Sequence, residues 1–260
     1  MAIGVLNYSR SQRAFCHNDA LINKVLNPPK PTLRLWVSDL VALFMPRRCA
    51  ACDMGLMRFE ESLCMMCMRD LPRARFHDDP SNRVEQLFWG KLQLEAASAF
   101  LLFSRSGKVQ RMLHRLKYGN DHTVGHVLGR LMAEELMASD RFRTVDTLMP
   151  VPLHPRKERM RGFNQSQVLV DGMRQVWPLP CATKELMRVV KTPSQTRRGR
   201  LDRWTNVKEA FQLADPEALR DRHVLLVDDV VTTGATLEGC AKALDEVPGL
   251  RISICTVACA

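Results

Sequence analysis

Residues 224–244 read VLLVDDVVTTGATLEGCAKAL, and this stretch restricts the fold more than any other. An apolar run without polar alternation is the mark of a strand covered on both faces, as in a parallel sheet. Two adjacent carboxylates follow, then two valines, a Thr-Thr-Gly-Ala-Thr turn and a segment of helical pattern. In open parallel sheets ligands gather beyond the carboxyl ends of the strands, which is where this order places Asp228 and Asp229. Carboxylates accept hydrogen bonds from vicinal hydroxyls, such as a ribose pair, and repel phosphate. A phosphate therefore belongs further along, on Thr232, Thr233, Gly234, Ala235 and Thr236. Their backbone N–H groups can form a concave nest, with Gly234 allowing the backbone angles a nest needs. The positive end of the following helix faces the same spot. A helix cap and an ordinary turn would account for one Asp and one Thr. The complete order points instead to a cradle for a sugar phosphate.

The rest of the chain fits an α/β fold. Residues 94–104 read as a strand, 106–120 as a helix ending at Gly119, 122–138 as an amphipathic helix and 145–153 as a buried strand running into prolines. A helix opened by Asn164 comes next, then two extended arms around the polar loop between 188 and 213. The strand 223–230, a helix and a last strand at 250–260 complete the pattern. Strands alternating with helices imply a mostly parallel sheet with helices on both faces. Residues 1–32 read as a polar leader ending in NPPKP, and 33–44 as a short helix. The leader lacks the apolar block of a secretion signal. The best apolar stretch, 33–45, is shorter than the roughly 20 residues of a membrane span and is interrupted by Arg34 and Asp39. A cytoplasmic location is the expectation.

Nine cysteines in a chain without a signal favour thiols or a metal site over disulfides. Cys49, Cys52, Cys64 and Cys67 form two C-x2-C pairs, the spacing with which four thiolates wrap one tetrahedral Zn²⁺. With all four positions filled by protein, the zinc is structural. His114, His122 and His126 read as solvent-facing or capping. The net charge of +10 favours a phosphate-bearing ligand, nucleic acid or an acidic surface, although a merely solvated basic exterior has the same charge. Arg156, Lys157, Arg159 and Arg161 crowd together after the proline-rich turn, where a pyrophosphate would find dense positive charge.

The 224–244 segment resembles the binding signature of type I phosphoribosyltransferases, with Ala235 where glycine is also common. PVPLHP through RGFNQ, the Lys117–Tyr118 pair in LKYGN, and Thr192, Gln195, Arg203, Asn206 and Phe211 in KTPSQTRRGRLDRWTNVKEAF resemble the ComF family, which includes ComFC and GntX proteins. Where that family often has Gly-Leu-Ser after Gln195, this chain has TRRGR. The resemblance implies a four-cysteine element in residues 33–80 and a phosphoribosyltransferase-like domain in 84–260. It implies that Asp228 and Asp229 hold the ribose hydroxyls of phosphoribosyl pyrophosphate and that 232–236 hold its 5′-phosphate. Lys117, Arg156, Lys157 and Arg161 would serve the pyrophosphate with Mg²⁺, and Thr192, Gln195, Arg203 and Asn206 a closing loop. It further implies a role in natural competence or the use of external DNA. Two other roles stay open: a non-catalytic partner handling single-stranded DNA beside competence proteins, or a phosphoribosyl-pyrophosphate sensor. An aromatic content of 6% weighs against a base-stacking platform.

Overall fold

The computed structural model describes residues 46–105, 107–119, 121–189 and 210–260. The expected leader, the helix at 33–44 and the loop residues Thr192, Gln195, Arg203 and Asn206 lie outside the described residues. In chain order the helices are α1 (Met65–Arg69), α2 (Arg83–Gln86), α3 (Lys108–Tyr118), α4 (His122–Met137), α5 (Pro155–Arg161), α6 (Gln165–Arg174) and α7 (Ala235–Leu244). The strands are β1 (Ala96–Leu102), β2 (Thr147–Pro150), β3 (Leu186–Arg188), β4 (Phe211–Leu213), β5 (His223–Val231) and β6 (Arg251–Cys259).

Four strands form one parallel sheet in the order β1-β6-β5-β2. The apolar run of β5 feeds both faces in alternation. Leu225 and Val227 join a core with α3, α4 and α6, while Val224 and Leu226 join another with α2, α7 and the β3–β4 pair. This is why the run lacks polar alternation. The two arms expected around 188–213 are β3 and β4, paired antiparallel.

β5 ends one residue beyond the expected 223–230, at Val231, because nine-residue β6 keeps pairing beside the acids, Asp228 opposite Thr256 and Val231 opposite Cys259. The basic stretch after the proline turn, given no element from its sequence, winds into α5. Pro155 stands in its first turn, His154 Nδ1 accepts from the Arg156 N–H at 3.1 Å, and Gly162 closes it at φ +82°.

Helices α4 and α6 touch through their backbones. A Cβ on Gly129 would lie 2.1 Å from the Leu169 carbonyl oxygen, and one on Gly172 would lie 2.4 Å from that of His126. This contact fixes α6, whose first turn reaches the acid pair.

Candidate sugar-phosphate site and cysteine module

Asp228 and Asp229 both meet the helical layer made by α3 and α6. Ser166, buried in the first turn of α6, donates through Oγ to Asp228 Oδ1 at 3.0 Å, and the Asp229 N–H donates to the same oxygen at 2.8 Å. Lys117, near the end of α3, pairs with Asp229 Oδ2 at 2.9 Å. Burial pushes the Asp228 carboxyl up to about 7, with the charge of Asp229 adding to it. The hydrogen bonds from Asp229 and Ser166 and the charge of Lys117 act in the opposite direction and do not cancel it.

Beyond β5, Thr232 and Thr233 are exposed, and Gly234 turns the chain at φ +76° into α7. No side chain caps this helix, so the leading N–H groups of Ala235, Thr236 and Leu237 carry no side-chain partner. An uncapped N-terminus of this kind attracts an anion. Gly234 is fixed sterically as well, since a Cβ there would lie 2.8 Å from Phe88 Cε1.

Arg161 joins the same region. Its guanidinium lies 5.3 Å from the ring centre of Tyr118, the neighbour of Lys117, and its Nη1 donates to Gln165 Oε1 at 2.6 Å. Its Nε is buried without a hydrogen-bond partner, a condition shared among the described residues only by Ser62 Oγ. Such a donor is held ready for an acceptor. Arg156 and Lys157 differ: both are exposed on α5, and neither side chain meets the acid pair. Beside the end of β2 opens a cleft of about 560 Å³, walled by Pro150, Pro152, Phe163, Gln167, Asp171 and Arg188. The strand it flanks is the neighbour of β5, the Val151 N–H donating to the Val227 carbonyl at 2.9 Å. His122, expected to face solvent or cap, is half-buried and stacks on Phe163 at 4.3 Å.

Sequence reasoning missed Ser166. Its neighbour Asn164 reads as a helix cap and does cap α6, but nothing local marks the next hydroxyl as the partner of an acid 62 residues away. The tight approach of α4 and α6 makes that contact.

The four cysteines converge. Their Sγ atoms all lie within 4.8 Å of one another, and Cys52 and Cys64 are 3.7 Å apart. Four sulfurs at about 2.3 Å from one tetrahedral Zn²⁺ would stand about 3.8 Å apart, so the donor set fits the ion. Backbone N–H groups point at the sulfurs, Cys64 N to Cys49 Sγ at 3.3 Å and Cys67 N to Cys64 Sγ at 3.4 Å. Burial opposes ionisation of Cys49, but amide N–H groups, that of Cys64 foremost, overcome it and bring the thiol down to about 7. Burial and the neighbouring thiols push Cys67 up. Glu60 ties the two knuckles together, accepting from Met57 N and Met65 N at 2.7 Å each. Cys181, Cys240, Cys255 and Cys259 stand apart from this group, with Cys240, Cys255 and Cys259 buried in the core.

A family model described as the phosphoribosyl transferase domain matches residues 185–259, the part that carries β5, the acid pair and α7. With the parallel sheet and the acids-then-turn order, this defines a chain with a phosphoribosyltransferase-type domain. DNA utilization protein YhgH of Escherichia coli O157:H7 is 29% identical over 201 residues, 75% of this chain and 83% of that protein. Competence protein F of Haemophilus influenzae is 31% identical over 137 residues, 51% of this chain and 60% of that protein. Competence protein ComFC of Streptococcus pneumoniae is 24% identical over 198 residues, 76% of this chain and 81% of that protein. The chain is thus similar to DNA utilization and competence proteins of the ComF type over half to three quarters of its length. Among the described residues, no helix is long and apolar enough to cross a membrane.

Proposed function

We propose that this chain binds phosphoribosyl pyrophosphate and transfers its phosphoribosyl group, in the service of competence or the use of DNA as a nutrient. The observation that carries the proposal is the run from Asp228 and Asp229 into an uncapped, glycine-turned helix N-terminus, with Lys117 and the unpartnered Arg161 Nε alongside. In this reading Asp228 and Asp229 accept hydrogen bonds from the two ribose hydroxyls, Ser166 keeping Asp228 oriented. Residues 232–236 hold the 5′-phosphate through N–H groups and hydroxyls. Lys117 and Arg161 face the pyrophosphate and take up charge as it leaves. Arg156 and Lys157, exposed on α5, supply long-range attraction for the anion. The acceptor sits in the cleft beside β2, and closure by Thr192, Gln195, Arg203 and Asn206 keeps water from the anomeric carbon.

Bound Mg²⁺ would supply charge neutralisation for the pyrophosphate, and Asp228 and Asp229 are the residues whose oxygens would serve it. Zn²⁺ in the four-cysteine set gives the module a core it is too short to build from side chains alone. The names of the relatives, DNA utilization and competence proteins, support the physiological part of the proposal.

Titration calorimetry with phosphoribosyl pyrophosphate and Mg²⁺ tests this reading, followed by pyrophosphate release with a panel of free bases. Saturable binding is expected, weakened by about a hundredfold in Asp229→Asn, the cost of about two charge-assisted hydrogen bonds. Binding without release in any mixture would make the chain a sensor. Absence of binding, with salt-dependent affinity for oligo(dT) unchanged in Asp229→Asn, would instead support the DNA-handling role.

A further inference from the structure

The cysteine module and the acid pair grip opposite flanks of one helix. At about 100° per residue, Arg115 and Lys117 leave α3 about 160° apart. The apolar stripe Val109, Met112, Leu113 and Leu116 lies between them, facing the core. On one flank Arg111 Nε donates to the Ala51 carbonyl at 2.5 Å, Arg115 Nη1 donates to the Arg48 carbonyl at 2.9 Å, and Arg115 Nη2 pairs with the Asp53 carboxylate. Lys108 adds a longer pair to Asp70 at 3.9 Å. All these partners lie in the module, and Arg48, Ala51 and Asp53 surround its first C-x2-C. On the other flank Lys117 meets Asp229.

We propose that Arg111 and Arg115 are positioning residues: by anchoring α3 to the first cysteine knuckle, they set the rotation of the helix that places Lys117 at Asp229. The apolar stripe holds α3 against the sheet but resists rolling weakly, because apolar contact has no preferred direction. Directional hydrogen bonds to carbonyls do resist it. A lysine Nζ lies about 8 Å from a helix axis, so a roll of about 20° moves it about 3 Å. That is enough to break a 2.9 Å ion pair. The guanidinium fork suits this task, since it meets a carbonyl and a carboxylate at fixed angles that an ammonium cannot reproduce. The module then has a second role besides its own folding: it aligns a cation in the sugar-phosphate site.

The experiment has two arms, on the full-length protein with its metal content checked by elemental analysis. The first is independent of any ligand. Limited acetylation read by mass spectrometry follows Lys117, with exposed Lys184 as the internal standard. Arg115→Ala raises Lys117 labelling about fivefold, and Arg111→Ala, a second variant should the first fold poorly, raises it about threefold. Arg115→Lys fails to restore protection. The second arm rests on the phosphoribosyl reading above. Arg115→Ala weakens phosphoribosyl pyrophosphate about tenfold when Lys117 is present and less than twofold in the Lys117→Ala background. Unchanged Lys117 labelling in both arginine variants overturns the proposal, as does an equal loss of affinity in the two backgrounds. Increased labelling in a protein that never binds the sugar leaves the coupling standing and removes the phosphoribosyl reading.

Discussion

Replacing Asp228 by Asn should stabilise the free protein, and increasingly so as pH rises from about 4 to about 7. The folded chain raises this carboxyl from an ordinary 3.8 to about 7, first through burial and then through Asp229. Well below pH 3.8 the group is protonated in both folded and unfolded chains, and the folded state bears no penalty. As pH rises from there to about 7, the unfolded chain releases the proton and the folded chain retains it, so stability falls through that window. Full ionisation at pH 8 corresponds to about 4 kcal/mol. The side chain keeps some contact with solvent, which reduces this to about 2 kcal/mol. Asn keeps a carbonyl oxygen for the Ser166 hydroxyl and the Asp229 N–H and carries no charge. Calorimetric melting at pH 4.5, 6 and 8 should show a gain that grows with pH, smallest at pH 4.5 and about 4–8 °C at pH 8. A gain equal at all three pH values, or a loss at pH 8, would refute the assignment of the penalty to this carboxyl. Stability given up at a site that must stay charged for its ligand is a common trade in proteins.

Elemental analysis of protein purified without chelator should give one zinc per chain, and Cys67→Ser should lose the metal and at least several kcal/mol of stability in urea titration. Gly172→Ala, which drives a methyl to within 2.4 Å of the His126 carbonyl oxygen, should cost about 3 kcal/mol in the same assay, and a loss below about 1 kcal/mol would mean the α4–α6 contact gives way easily.

What could be read in the sequence was what depends on short-range pattern. The apolar run before Asp228 announces a strand covered on both faces, Asn164 announces a helix start, and two C-x2-C pairs announce one cluster. Each is decided by neighbours within a few residues. The last residue of β5, Val231, was hidden, because how far the strand runs past the acids depends on the length of β6 and not on β5 itself. The pairing of Ser166 with Asp228 was hidden for a similar reason: it follows from two glycines that let α4 and α6 meet at backbone distance. Nothing in the sequence marks Arg111 and Arg115, and only the docked module gives them carbonyls to bind. In α5 the signals were present in His154 and Pro155, but the density of cations drew the reading to their charge and not to a helix start.

The interior place of β6 also has a consequence for the birth of the protein. Ala96 of β1 finds its neighbour in Ser253, about 150 positions later. At ordinary translation speeds of roughly 5–20 residues per second, β1 waits on the order of ten to thirty seconds at the ribosome with its bonding edge open. During that interval the open edge is the kind of surface that invites mispairing, and the two acids that mark the site have no ladder beside them until synthesis reaches 251–259.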